Sequence, residues 1–185
     1  MSVLILGLVV FLGIHLVPTF SDLRQGLIQR FGERGYKGVF AAISLAGLIL
    51  IIVGKGRADF VPLWQPPVWG RHIAPLLMLL AFVLLSAAYL PSNVKRFTAH
   101  PMLWAVTLWS AAHLLANGDL ASLLLFGTIG LFALFDMVSA NMRGDTKSKT
   151  RYALTKDVIA VAIGLVAYVV LVVLHPYLFG VPVFA

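Results

Sequence analysis

Six long apolar stretches, separated by short polar breaks, leave this chain little choice of solvent. A helix crosses a bilayer with about 20 mostly apolar residues, because it satisfies its own backbone hydrogen bonds. The stretches are Ser2–Pro18, Gly38–Gly54, His72–Leu90, Pro101–Ala116, Asp119–Ala140 and Asp157–Pro176. Several lie at the short end of the range, which implies little tilt or snorkelling ends. The expected fold is all-α: a polytopic integral membrane protein with six transmembrane helices, forming one domain over residues 1–185.

Composition agrees. Of the 185 residues, 61% are hydrophobic and 11% charged, against roughly 25% charged in soluble domains. The first stretch has neither a basic leader nor a small-x-small cleavage site before Pro18, so it reads as a retained span. Lys and Arg are distributed unevenly among the connections. Arg24, Arg30, Arg34, Lys37, Lys95, Arg96, Arg143, Lys147, Lys149, Arg151 and Lys156 fall on one side, and Lys55, Arg57 and Arg71 on the other. Positive loops stay in the cytoplasm, so both termini are expected on the non-cytoplasmic side, with the inner (cytoplasmic) membrane as location in a bacterial host. The net charge of +7 is explained by this topology and calls for no nucleic acid, since no basic stretch carries interleaved aromatics.

The connections have character of their own. Asn117-Gly118-Asp119 reads as a tight turn, with Asp119 capping the fifth helix. Within Ser21–Lys37, Leu23, Leu27, Ile28 and Phe31 recur near helical spacing among basic residues, which suits a helix lying in the interface. The loop Gly56–Gly70 carries Phe60, Trp64 and Trp69, an aromatic belt or a lid.

Chemistry centres on histidine. The absence of cysteine removes disulfides, thiolate metal sites and covalent c-type haem attachment. His72 and His175 sit at membrane ends, where polar rings are ordinary. His100 precedes Pro101, a good first helical residue, and can cap that helix. His15 and His113 lie within apolar sequence, where an ionisable group is costly and marks a functional site. Two such rings on different helices can clamp a metal or a haem iron, or each can hydrogen-bond a neighbouring helix. His113 shares its helical face with Val106, Trp109 and Ser110, whereas His100 lies about 140° away around the helix. Gly7, Gly13, Ala111 and Ala112 permit close approach of backbones or of a flat macrocycle. Depth works against the pair: spans one and four run in opposite directions, placing His15 and His113 more than about 10 Å apart in depth. On depth alone His100 is the better match to His15. Asp136 reads as a helix-end carboxylate or a partner for Arg143 or a histidine. No Ser-His-Asp array, phosphate loop or zinc spacing is present.

Gly13-Ile-His15-Leu-Val-Pro18 with Leu23-Arg24, then Gly32-Glu-Arg-Gly35-Tyr36, resembles the opening signature of the NnrU family. His100-Pro-Met, Leu108-Trp109, Ala112-His113-Leu-Leu-Ala-Asn117-Gly118-Asp119 and Leu124-Leu-Phe126-Gly127 resemble its second signature. That family includes bacterial membrane proteins linked to nitrite and nitric oxide metabolism, and it is similar to the haem-using 15-cis-zeta-carotene isomerase. The resemblance implies a noncovalent b-type haem with His15 and His113 as metal ligands and His100 as the spare. Trp109, Ser110 and Asn117 accompany them as cofactor-binding candidates. It also implies a lipophilic polyene or a nitrogen oxide as ligand, a possible membrane redox partner, and either isomerisation or a role in nitrogen-oxide metabolism.

Two alternatives stand beside this reading. The His100 turn between hydrophobic helices also resembles small membrane methyltransferases that bind S-adenosylmethionine, although the paired glutamates of that family are missing after span five. A non-enzymatic assembly factor for a respiratory or denitrification complex is the other. The topology itself is testable: alkaline phosphatase fused to the C-terminus should be active and green fluorescent protein at the same place dark, and the opposite pattern would reverse the orientation.

Overall fold

The computed structural model describes residues 1–184, and within them the regular structure is helical. The helices are α1 Ser2–Leu16, α2 Ser21–Gly56, α3 Gly70–Tyr89, α4 Pro101–Ala116, α5 Leu120–Met142 and α6 Leu154–Phe179. Five apolar helical segments, containing α1, α2, α3, α5 and α6, are long enough to cross a membrane, and α4 is apolar but shorter. The six expected stretches thus coincide with the six helices. The protein is all-α, with the surface composition of a chain in contact with a lipid bilayer.

Helices in lipid gain no hydrophobic energy from meeting each other, so they associate where small residues allow tight packing. Gly7 of α1 faces Leu50 and Ile51 of α2, Gly47 faces Phe11, and Gly54 faces Leu4. A Cβ on Gly54 would lie 2.3 Å from the Leu4 nitrogen, so the backbones themselves are in contact there. Gly130 of α5 meets Ser110 of α4, and Gly164 of α6 meets Val83 of α3. Gly13, expected to serve the same purpose, has nothing within 4 Å and sits on the outer face.

The packing order follows from these seams. α5 lies between the α1–α2 hairpin and the α3–α4 pair, and α6 packs along α3. The apolar core is the junction of α1, α2 and α5, where Leu4, Leu8, Ile51, Ala121, Leu125 and Phe126 are buried. Within α5, Leu123–Gly127 forms a π turn. Such wide turns are rare and cluster at functional sites.

The expected interfacial helix is present but runs directly into span two. α2 is broken only at Gly32, whose φ of 70° and ψ of 163° suit a residue without Cβ. Residues before the break expose Phe20, Leu23 and Phe31 among arginines, and the apolar span follows it. At the same end of the bundle, Asp157 of α6 accepts from Ser92 Oγ (3.1 Å), Asn93 N (2.7 Å) and Asn93 Nδ2 (2.6 Å). That carboxylate fastens the α3–α4 connection to the start of α6.

Gly54→Ala should destabilise the protein by about 1–3 kcal/mol through overpacking. Gly26→Ala, in open space on the interfacial helix, should be neutral or stabilise by up to about 1 kcal/mol. Unfolding in mixed micelles compares the two, and equal effects would remove the glycine seam as the cause.

Candidate functional site

The sequence candidates fall into three places. Trp109, Ser110, His113 and Asn117 form one continuous group on α4. His113 Nδ1 lies 2.8 Å from the Trp109 carbonyl, which can only accept, so Nδ1 carries the proton. The unprotonated Nε2 is left with no hydrogen-bond partner among the described residues. The ring stacks on Phe126 of the π turn, with centroids 4.3 Å apart and planes at 23°. Trp109 meets the same phenyl ring edge-on at 4.8 Å. Asn117 donates to the His113 carbonyl at 2.8 Å and closes the helix end. Ser110 is 3% exposed, faces Gly130, and its Oγ has no partner.

His15 forms a second group with the same local design. Its Nδ1 donates to the Phe11 carbonyl at 2.7 Å, and its ring lies against Phe11 at 4.2 Å and Phe40 at 5.1 Å. On α5 its neighbour is Phe132 at 6.3 Å, six residues beyond Phe126. Six residues of helix rise about 9 Å, so the two rings meet α5 at different levels, separated by slightly less than the expected offset. His100, the third, donates from Nε2 to Asn141 Oδ1 at 2.8 Å, near the far end of α5. Asn141 is nine residues beyond Phe132, or about 13 Å along the helix. His15 therefore lies between the levels of His113 and His100. The His100 ring does not cap α4, since its side chain makes no capping bond and reaches across to α5.

Each histidine in α1 and α4 is prepared as an axial ligand should be. A ring whose Nδ1–H is held by a carbonyl has its tautomer and orientation fixed, with Nε2 free to bind a metal. The orphaned Ser110 hydroxyl, one turn before His113, adds a polar atom to that face. The packing does not bring both rings to one iron, because the buried Phe126 and Leu125 lie in the core toward α1. The donor set at either histidine suits one axial position on a metal, and the packed Phe126 and Leu125 occupy the core between α5 and α1.

A feature the sequence reading passed over closes the other end of α4. Lys55 Nζ, at the end of α2, donates to Asp119 Oδ1 at 2.9 Å and to Ser122 Oγ at 2.7 Å. Asp119 is 5% exposed and also caps α5, accepting from Ser122 N at 3.0 Å. The turn expected at Asn117–Asp119 is thus structural, as the sequence suggested. The aromatic loop Gly56–Gly70 is strapped over it: Leu63 N and Trp64 N donate to the Gly118 carbonyl, and Leu120 N donates to that of Val61. A Cβ on Gly118 would lie 1.9 Å from the Trp64 oxygen. Phe60 and Trp69 point outward, as belt residues do. No local signal pointed to Lys55, since a lysine ending an apolar span ordinarily reaches the interface and its partner here lies 64 residues away. At the opposite end, Asp136 pairs with Arg143 at 3.3 Å, the expected partner. His175 Nδ1 lies 2.6 Å from the Val181 carbonyl, an end-of-helix contact.

The fold and these groups define a multi-pass membrane protein with histidines set among aromatic rings inside its helices. The chain matches the family described as NnrU protein over residues 3–183, and it belongs to that family. No curated protein and no solved structure matches it.

Removing the Lys55 ammonium leaves a buried carboxylate short of a partner, a loss of about 1–3 kcal/mol. Lys55→Ala should therefore lower stability by that amount, and combining it with Asp119→Asn should cost less than the sum of the two. Strict additivity in a double-mutant cycle would dismiss the ion pair.

Proposed function

We propose that this NnrU protein binds a noncovalent b-type haem through a single protein ligand, His113. The observation that carries the reading is the hydrogen bond from His113 Nδ1–H to the Trp109 carbonyl, which presents Nε2 as an unprotonated donor inside an apolar helix. Trp109 and Phe126 hold that ring in place from two sides. The strap over Gly118 keeps water away from the end of α4. A bound haem would supply a redox-active iron, its reactivity set by the polarity around it. The substrate classes that suit such a site are a lipophilic polyene, isomerised about a double bond, and a nitrogen oxide. A non-enzymatic role in assembling a respiratory or denitrification complex fits the same cofactor site. His15, with the same ring geometry one helix away, is the ligand of a separate state or a structural residue. The charge distribution supports both termini outside and residence in the inner membrane.

S-adenosylmethionine binding at the His100 turn is the second reading, favoured by a cavity of about 920 Å³ that opens there. One experiment decides between them. Detergent-purified protein should show a b-type absorbance spectrum, oxidised and dithionite-reduced, with about one haem per chain by pyridine haemochrome. His113→Ala should lose most of that haem, His15→Ala should keep it, and replacing His175 should leave the spectrum unchanged. Haem-free protein after supplementation with a haem precursor would reject the proposal and leave the His100 reading standing.

A further inference from the structure

The cavity at the His100 turn lies between the start of α4, the end of α5 and the connection to α6. Its floor is polar, formed by the His100–Asn141 hydrogen bond. Its wall is apolar and faces outward: Trp104, Leu134 and Val138 are 43%, 42% and 60% exposed. The wall is therefore continuous with the surface that α4 and α5 turn toward lipid. Its rim carries Lys147 and Lys149, with Asp145 as the carboxylate among the lining residues. Arg143, in the same connection, is committed to Asp136. Neither rim lysine has a carboxylate within ion-pair distance among the described residues.

An occupant must satisfy both ends. A pure hydrocarbon would cover the apolar wall and make no use of the two exposed rim lysines, which have no carboxylate partner among the described residues. A small soluble anion would engage the lysines and make no use of the apolar wall. An amphiphile with a negative head and an acyl chain satisfies both, and basic side chains at the membrane surface select anionic headgroups. We propose that this cavity binds one anionic phospholipid, with its phosphate at Lys147 and Lys149 and an acyl chain along Trp104, Leu134 and Val138. The ester region then meets His100 and Asn141. The site is independent of the haem at His113, and apo protein serves equally well for the test.

Native mass spectrometry of the full chain in mild detergent, titrated with phosphatidylglycerol or phosphatidylcholine, reads the binding directly. The expected result is one phosphatidylglycerol retained under activation that strips phosphatidylcholine. The exposed pair Lys147→Gln/Lys149→Gln should weaken that binding by roughly thirtyfold, with unchanged thermal stability. Arg151→Gln, a basic residue of the same connection outside the cavity, should leave it unaltered. Trp104→Ala should weaken retention of phosphatidylglycerol by removing part of the chain's wall. Equal retention of the two lipids, or an equal loss in Arg151→Gln, would overturn the proposal in favour of unspecific charge. Displacement of the lipid by millimolar inorganic phosphate or by S-adenosylmethionine would overturn it in favour of a soluble ligand.

Discussion

Hydrocarbon offers no hydrogen bonds, and the C-terminal end of α4 is where this chain meets that constraint most severely. Sixteen residues of helix reach about 24 Å, short of the roughly 30 Å of a bilayer core. The backbone of Asn117–Asp119 leaves its helix beside the aromatic loop, and a helix end buried in this way needs partners for its backbone groups. Residues 61–64 provide them, taking up the Gly118 carbonyl and the Leu120 N–H. Gly118 must be glycine for the strap to lie so close. Lys55 then neutralises the one carboxylate this arrangement buries. The position of His113, one turn inside the sealed end, depends on all of these contacts.

The same economy of close contact organises the rest. α5 is the helix between the two hairpins, and its π turn carries Leu125 and Phe126 into the core. Phe126 serves two neighbours at once, filling the junction with α1 and stacking on the His113 ring. A side chain shared in this way joins the core to the candidate site without a polar intermediary. It also explains why two histidines of like geometry remain apart. The volume that would have to hold a macrocycle between α1 and α4 holds aromatic and aliphatic side chains.

The helices were legible because hydropathy and helix length are properties of a single segment. Asp119 as a cap and Asp136 with Arg143 were legible for the same reason, since both are local in sequence. What depends on register between segments was not. The pairing of Lys55 with Asp119 spans 64 residues. The depth of His15 against α5 was judged from its place near the end of α1, but α5 continues well past that level to Met142. His100 illustrates the same limit: a histidine before proline reads as a cap, while its ring is claimed by Asn141 across the bundle. The π turn left no readable mark in a run of leucines.

The glycine contacts between α1 and α2 occur at three levels, with Gly54 at Leu4, Gly7 at Ile51 and Gly47 at Phe11. Notches at three heights fix the axial offset of the two helices, much as teeth fix two racks. This hairpin therefore has a set hydrophobic length and cannot slide to suit a thinner or thicker bilayer. Any adjustment to membrane thickness by this pair then falls to tilting of the whole hairpin or to the lipid around it.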